Sequence, residues 1–464
     1  MTATKLKVFR ASDRSPLAEI EADDAVALER KLALASEAFA DLRRRLPVQE
    51  RVAILGRVAA LVDAKRDVLA KQIAEEGGKP LTDAIVEVVR AADGLRNAAD
   101  ELRTFAGREI PMGLTAPSQG RWAFTTKEPI GVVAAISAFN HPLNLVVHQT
   151  APAVAVGCPV IVKPAATTPL SCLSLVAMYR EAGLPEALCQ TLVTEDNALA
   201  ERLAVDPRIA FLTFIGSARV GWSLRSKLAP GARCALEHGG AAPVIVDRSA
   251  DLDRIIEPIV KGGYYHAGQV CVSVQRIFVH HEMRDAFVER LARRALSLRV
   301  GDAALPDTEV GPLILPREVE RVAAWIDEAV AGGAEKHGGK RVSETTLEPC
   351  VLVEPPRDAK VSQLEIFGPV TCVYGYSEID EAIDRANALP FAFQASVFSR
   401  DIGPALRAAK RLDAATVLVN DHTAFRTDWM PFSGRRQSGL GVGGIPYTMH
   451  DMTQEKMIVL RHDA

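Results

Sequence analysis

From Glu128 onward the sequence alternates short apolar runs with stretches of helical spacing, and few folds accommodate that alternation. The runs are 131–137 (GVVAAIS), 159–164 (PVIVKP), 190–194 (QTLVT) and 210–216 (AFLTFIG), with helical segments between them that start at Pro142 and Pro169. A second series follows: PVIVD at 243–247, a helix over 255–265, RIFVH at 276–280 and a helix over 283–296. Strands alternating with helices require βαβ units and a parallel sheet with covered faces. The sequence therefore predicts two α/β units with a boundary near 236–240. Upstream, Ile54, Leu55, Val58, Leu61, Val62, Leu69 and Ile73 recur at helical spacing until Gly77-Gly78 stops the run. A second amphipathic run places Ile85, Val88, Ala92, Leu95, Ala99 and Leu102 on one face. Residues 118–126 (SQGRWAFTT) alternate as an exposed strand outside the main sheet, the kind of ribbon that serves subunit contact. The Gly- and Pro-rich stretches 301–316 and 332–339 read as loops.

Composition removes several classes of function. A chain of 464 residues suits about three domains of ~150 residues, or two larger ones joined by a small element. The net charge of −3 carries no signature for nucleic acid or an anionic membrane, so neither is expected as a partner. The longest apolar runs, 130–139 and 151–162, are too broken to span a bilayer. The N-terminal segment lacks an apolar core of leader length, which places the chain in the cytoplasm. Seven widely spread cysteines with no CxxC pair agree with a reducing compartment. The ten histidines form no HExxH, and no metal is expected.

Several short motifs could carry chemistry. Cys271 stands between Val270 and Val272 at a helix-to-strand junction, placed either as a presented thiol or as a small packed hydrophobe. Asn140, in FNHPLN, lies at the start of a helix, where its amide is a cap or a donor to an oxyanion. His141, Asn144 and His148 share one face of that helix, lining a polar tunnel or a solvated surface. Gly216-Ser217 turns a buried strand into a helix, as a pyrophosphate site or a packing turn does. Lys163 ends a strand beside Pro164, where it can hold ribose or phosphate or simply be solvated. Glu237, in ALEHGG, ends a strand before two glycines; burial there would raise its pKa toward that of a general base, and a structural ion pair is the alternative. Glu365, in QLEIFGPV, precedes an apolar strand and can accept from ribose hydroxyls or cap a turn.

As an ordered set, VKPAATTP, FIGS, EHGG, GQVC, EIFGP and PFSG resemble the aldehyde dehydrogenase superfamily over residues 24–460. The resemblance implies a Rossmann-like cofactor domain (1–117 and 127–236), an α/β catalytic domain (237–418) and a small β oligomerisation element (118–126 and 449–464), with 419–448 returning to the cofactor domain. It implies a homodimer or homotetramer, and NAD or NADP bound by Ile136, Lys163, Ala166, Gly216, Ser217, Glu365 and Phe367. It gives Cys271 as nucleophile, Asn140 as oxyanion donor, Glu237 as the base for water and Lys163 as a further member of the catalytic set. Ala166 stands where many NAD-dependent relatives carry a glutamate that repels a 2′-phosphate, so NADP use is expected to be open. His141 and His148 replace aromatic tunnel residues. With Asn144, Arg426 and Phe432 they imply a small polar or anionic aldehyde, as in the lactaldehyde, phosphonoacetaldehyde and non-phosphorylating glyceraldehyde-3-phosphate branch. Val270, where the last of these carry arginine, weakens a phosphate ligand, and Asp428 offers Arg426 an ordinary ion pair. A coenzyme-A-acylating or reductive enzyme, or a non-enzymatic binding protein on the same fold, are the alternatives.

Overall fold

The computed structural model describes residues 5–461, so the extreme ends of the 1–117 and 449–464 segments lie outside it. It opens on a hairpin that the sequence pattern does not signal, β1 (Lys5–Phe9) against β2 (Pro16–Glu21). A helical layer follows: α1 (Ala25–Ala40), α2 (Val48–Ala64), α3 (Arg66–Gly77) and α4 (Leu81–Glu101). The Asp24 carboxylate caps α1 by accepting from the N–H groups of Val26 and Ala27. Then come β3 (Glu109–Ile110) and β4 (Arg121–Pro129); the ribbon expected over 118–126 is shifted, because a turn at 116–120 precedes it and pairing continues to Pro129.

The first α/β series is β5 (Val132–Ile136), α5 (Asn144–Val156), β6 (Val160–Lys163), α6 (Leu170–Glu181), β7 (Cys189–Thr191), α7 (Asn197–Val205), β8 (Ile209–Ile215), α8 (Ala218–Arg225) and β9 (Arg233–Glu237). Helix α5 starts two residues later than the expected Pro142, and its cap comes from another helix. Glu87 of α4 accepts from the N–H groups of Leu143 (3.0 Å) and Asn144 (3.1 Å). Glu76 of α3 does the same for Leu170 and Ser171 at the start of α6. Both carboxylates are fully buried, which is tolerable because each satisfies helix N–H groups that would otherwise have no partner.

The second series is β10 (Ala242–Val246), α9 (Leu252–Tyr264), β11 (Val274–His280), α10 (Arg284–Leu296), α11 (Pro316–Ala331), β12 (Glu335–Gly338), β13 (Cys350–Val353), α12 (Lys360–Gln363), β14 (Val370–Tyr376), α13 (Ile379–Asn387), β15 (Phe391–Ala392), β16 (Gln394–Phe398), α14 (Ile402–Arg411) and β17 (Thr416–Val419). The stretch 332–339, expected as loop, contains β12, a polar edge strand antiparallel to β13. The chain ends with β18 (Arg435–Arg436), β19 (Gly439–Leu440), α15 (Ile445–Asp451) and β20 (Thr453–Arg461).

Two main sheets result. The first has the order β19-β9-β8-β5-β6-β7, in which β5 to β9 are parallel. Its chain runs outward from β5 through β6 to β7 and then returns to β8 on the other side, so strand order reverses between β5 and β8. In an open parallel sheet that reversal opens a crevice at the carboxyl ends of the strands. The second sheet has the order β12-β13-β14-β11-β10-β16-β17, parallel except for β12. The chain leaves the first sheet at Glu237 and enters the second at Ala242. A third sheet pairs β20 with β4 along residues 121–129 and β4 with β3. Residues 419–448 touch both main units: β18 pairs with β15, and β19 pairs with β9 at Leu236 and Glu237. Among the described residues no helix is long and apolar enough to cross a membrane.

Candidate active site

The two main sheets meet around a cavity of about 1040 Å³. From the first sheet it takes residues at strand carboxyl ends: Ile136, Lys163 and Glu237, the last residues of β5, β6 and β9, and Gly216 and Ser217 just after β8. From the second it takes residues that precede strands: Gly239 before β10, Cys271 before β11, and Glu365 and Phe367 before β14. Asn140, His141, Asn144, Ala166, Arg426 and Phe432 also line it. Of the site residues named from the sequence, His148 alone is absent from the wall.

Cys271 is fixed by the loop in front of it. After α9 the backbone passes through three left-handed residues, His266 (φ 49°), Ala267 (φ 53°) and Gly268 (φ 70°). A side chain at Gly268 would strike the carbonyl of Gly368, so glycine is required there. Gln269 then ties the loop down: its Nε2 donates to Pro312 O (3.2 Å) and its Oε1 accepts from Ile314 N (2.9 Å). Asn140 Nδ2 donates to Gln269 O at 2.9 Å. The amide's second hydrogen has no protein acceptor among the described residues and the side chain borders the cavity, so one donor remains for a ligand.

The charges near the thiol are unusual. Burial, then the carboxylates of Glu237 and Glu365, push the Cys271 thiol up to about 12, while Arg426 works against them. Burial also raises Glu237 above the usual carboxylate range, opposed by Arg426. Glu365 is pushed up to about 7 by burial, although Gly240 N donates to it at 3.2 Å. A Cβ on Gly239 would overlap the Glu365 carboxylate, and one on Gly443 would overlap that of Glu237. Glycine at these two positions makes room for both acids. Lys163, half-buried at the end of β6, has no carboxylate partner among the described residues, and burial lowers its pKa.

The far wall is built around Asp428. Arg90 of α4 grips it with two bonds, Nη2 to Oδ1 at 2.8 Å and Nε to Oδ2 at 3.1 Å. Asn144 Nδ2 (3.1 Å) and His148 Nε2 (2.7 Å) share Oδ1. Asp428 therefore does not pair with Arg426, which stacks on the Phe432 ring at 3.6 Å from its centroid. His148, expected to line the tunnel, lies behind Arg426 because Asp428 draws it away from the cavity. His141 stays at the wall, with Nε2 3.0 Å from Tyr265 Oη.

Sequence reasoning missed Arg90 and Tyr265 in this wall, and Lys79, whose ammonium pairs with Glu87 in full burial. A signal existed in α4: Asp83, Glu87 and Arg90 recur at helical spacing beside the buried Ala84, Val88 and Ala91. Charges on an apolar face need partners inside the protein.

A sequence profile described as the aldehyde dehydrogenase family matches residues 1–458. The chain belongs to this family. It is 38% identical over 460 residues to a 3-sulfolactaldehyde dehydrogenase of Priestia aryabhattai, covering 99% of this chain and 95% of that one. The crystal structure of aldehyde dehydrogenase 21 from Physcomitrella patens, in complex with the reaction product succinate, superposes with a TM-score of 0.96 at 33% identity, covering 99% and 95% of the two chains. Glyceraldehyde-3-phosphate dehydrogenase GapN from Methanocaldococcus jannaschii, complexed with NADP, gives 0.94 at 31% identity, covering 99% and 100%. The mixed α/β architecture with parallel sheets is thus that of aldehyde dehydrogenases.

Proposed function

We propose that this aldehyde dehydrogenase oxidises a small polar or anionic aldehyde to its carboxylic acid with NAD or NADP. One observation carries the reading: the Cys271 thiol, the Glu237 carboxylate and a free Asn140 N–H converge on one cavity. The crevice between β5 and β8 suits a dinucleotide. Gly216 and Ser217 lead into α8, where backbone N–H groups favour a phosphate. Lys163, without a carboxylate partner among the described residues, can hold ribose or phosphate, and Glu365 can accept from ribose hydroxyls. Ile136, Ala166 and Phe367 supply the remaining wall, and Ala166 places no carboxylate against a 2′-phosphate. A nicotinamide dinucleotide, when bound there, supplies the hydride acceptor.

The chain's own residues do the rest. Cys271 releases its thiol proton to solvent water in the cavity and, as thiolate, adds to the aldehyde carbon. The Asn140 amide and the backbone N–H of Cys271 stabilise the oxygen that becomes charged. Glu237, made more basic by burial, takes a proton from the water that hydrolyses the thioester and so favours acid release over transfer to another thiol. Arg426, with no carboxylate in contact among the described residues, faces the tail of the substrate, which favours an anionic tail. His141, Asn144 and Phe432 shape the same end.

The test is initial rates of cofactor reduction with NAD and NADP across lactaldehyde, 3-sulfolactaldehyde, phosphonoacetaldehyde and hexanal. Fastest turnover of hexanal would sink the polar-substrate reading; no turnover of any aldehyde would sink the activity.

Two further proposals concern assembly and place. The β20–β4 ribbon carries exposed Trp122, Met457, Val459 and Leu460, which supports pairing of protomers into a dimer or tetramer, measurable by light scattering. All seven cysteines are unpaired, which supports the reducing cytoplasm; fractionation of the native cell tests it.

A further inference from the structure

His148 lies on α5 one turn beyond Asn144 and is 4% exposed. Its ring touches two charged groups on opposite sides. Nε2 is 2.7 Å from Asp428 Oδ1, and Nδ1 is 3.2 Å from Arg426 Nη2. An ionised carboxylate only accepts, so Nε2 carries the hydrogen and Nδ1 is left with its lone pair. That lone pair is what the guanidinium requires. Burial, and then the charge of Arg426, push the imidazole down to about 4 against the pull of Asp428, so the ring is neutral at physiological pH.

The arrangement decides what Arg426 can offer. Among the described residues no carboxylate lies within ion-pair distance of it, and its Nε is buried with no partner in the protein. Phe432 holds the flat face and His148 holds one edge. Asp428 is held instead by Arg90, which occupies both of its oxygens, and the imidazole lies between Asp428 and Arg426. The histidine thus stands as an uncharged bridge between a carboxylate already paired with Arg90 and a guanidinium that has no carboxylate in contact among the described residues.

We propose that His148, ordered by Asp428, is a positioning residue that fixes Arg426 through a neutral hydrogen bond and so leaves its charge free for a sulfonate, phosphate or carboxylate on the substrate. The proposal rests on the anionic-tail reading above. It predicts that His148 sets the preference between charged and uncharged aldehydes without touching either.

3-Sulfolactaldehyde and lactaldehyde differ only by a sulfonate in place of a hydrogen, so the ratio of their kcat/KM values isolates the tail. The ratio is measured for wild type, His148→Leu, His148→Gln and His148→Glu, with thermal unfolding recorded for each. In His148→Leu it is expected to fall by about 10-fold or more, the loss of one hydrogen bond to a charged group. Glutamine can donate to Asp428 and accept from Arg426, so His148→Gln should return the ratio to within about 3-fold of wild type. Glutamate accepts equally well but cancels the charge, so His148→Glu should not recover it. Equal losses for both aldehydes in His148→Leu, or recovery by glutamate as complete as by glutamine, would overturn the proposal. If the leucine variant does not fold, the glutamine and glutamate pair decides. A wild-type ratio near one overturns the anionic-tail reading itself, a failure distinct from an intact wild-type preference that His148 does not influence.

Discussion

The two parallel sheets obey the same βα grammar yet present opposite ends to the cavity. The first sheet turns its carboxyl ends inward, where β5 and β8 run on toward the starts of α5 and α8. The start of α5 is already capped by Glu87, so it is the start of α8 that presents its positive dipole end to a ligand, and there the rim favours anions. The second sheet turns its amino ends inward. The loops entering β11 and β14 come from the carboxyl ends of α9 and α12, so neither loop brings a helix start of its own to the cavity. Burial and two neighbouring carboxylates then keep the thiol protonated at neutral pH. One rim offers a helix start to an anion, and the other buries a thiol beside two acids. Strand polarity at a shared cleft decides which rim does which.

The most direct way to break this contrast is Cys271→Ala, which should lower aldehyde oxidation by roughly 10⁴-fold or more. Retention of a tenth of the activity would show that the second rim does not carry the chemistry. Next, Glu237→Gln should cost about 10³-fold in steady-state kcat while leaving a first-turnover burst of cofactor reduction, because only thioester hydrolysis loses its base. Stopped-flow absorbance separates the two phases, and loss of the burst itself would move Glu237 into the first step. In the helical layer behind the first rim, Lys79→Met leaves the buried Glu87 carboxylate at the start of α5 without its counter-ion. Urea denaturation should show a loss of about 3 kcal/mol; a change under about 1 kcal/mol would mean that the helix N–H groups alone satisfy Glu87. The gentlest test uses pH. With its thiol pushed up to about 12, Cys271 of the free enzyme should be alkylated by iodoacetamide about tenfold faster per unit from pH 7 to 10. A plateau below pH 9, followed by peptide mapping at Cys271, would show that the second rim does not suppress the thiolate.

Both series of buried strands were legible from the sequence because each is apolar, short and punctuated by glycine or proline. β1 and β2 were not, since their polar alternation has no large core to reveal it, and β12 is polar throughout. The nucleophile and both carboxylates stand in local motifs, which is why they could be found. The charge of Arg90 on an apolar face signals a need for an inner partner, but not which one, because Asp428 lies 338 positions away. His148 shows the same limit from the other side. Helical spacing gave its face correctly, but only the pull of Asp428, 280 residues on, turns the ring out of the cavity.

The closing of the first unit by the end of the chain has a consequence for biosynthesis. β19 completes the outer edge of the first sheet at β9, Ile445, Met449 and Met452 enter the core beneath α4 and α5, and β20 covers β4. The second sheet draws every strand from residues 242–419. As the polypeptide leaves the ribosome, its earlier half waits with a bare edge strand and an unfilled groove until residues 439–461 emerge. The half made second thus has all its strands in hand before the half made first has its last.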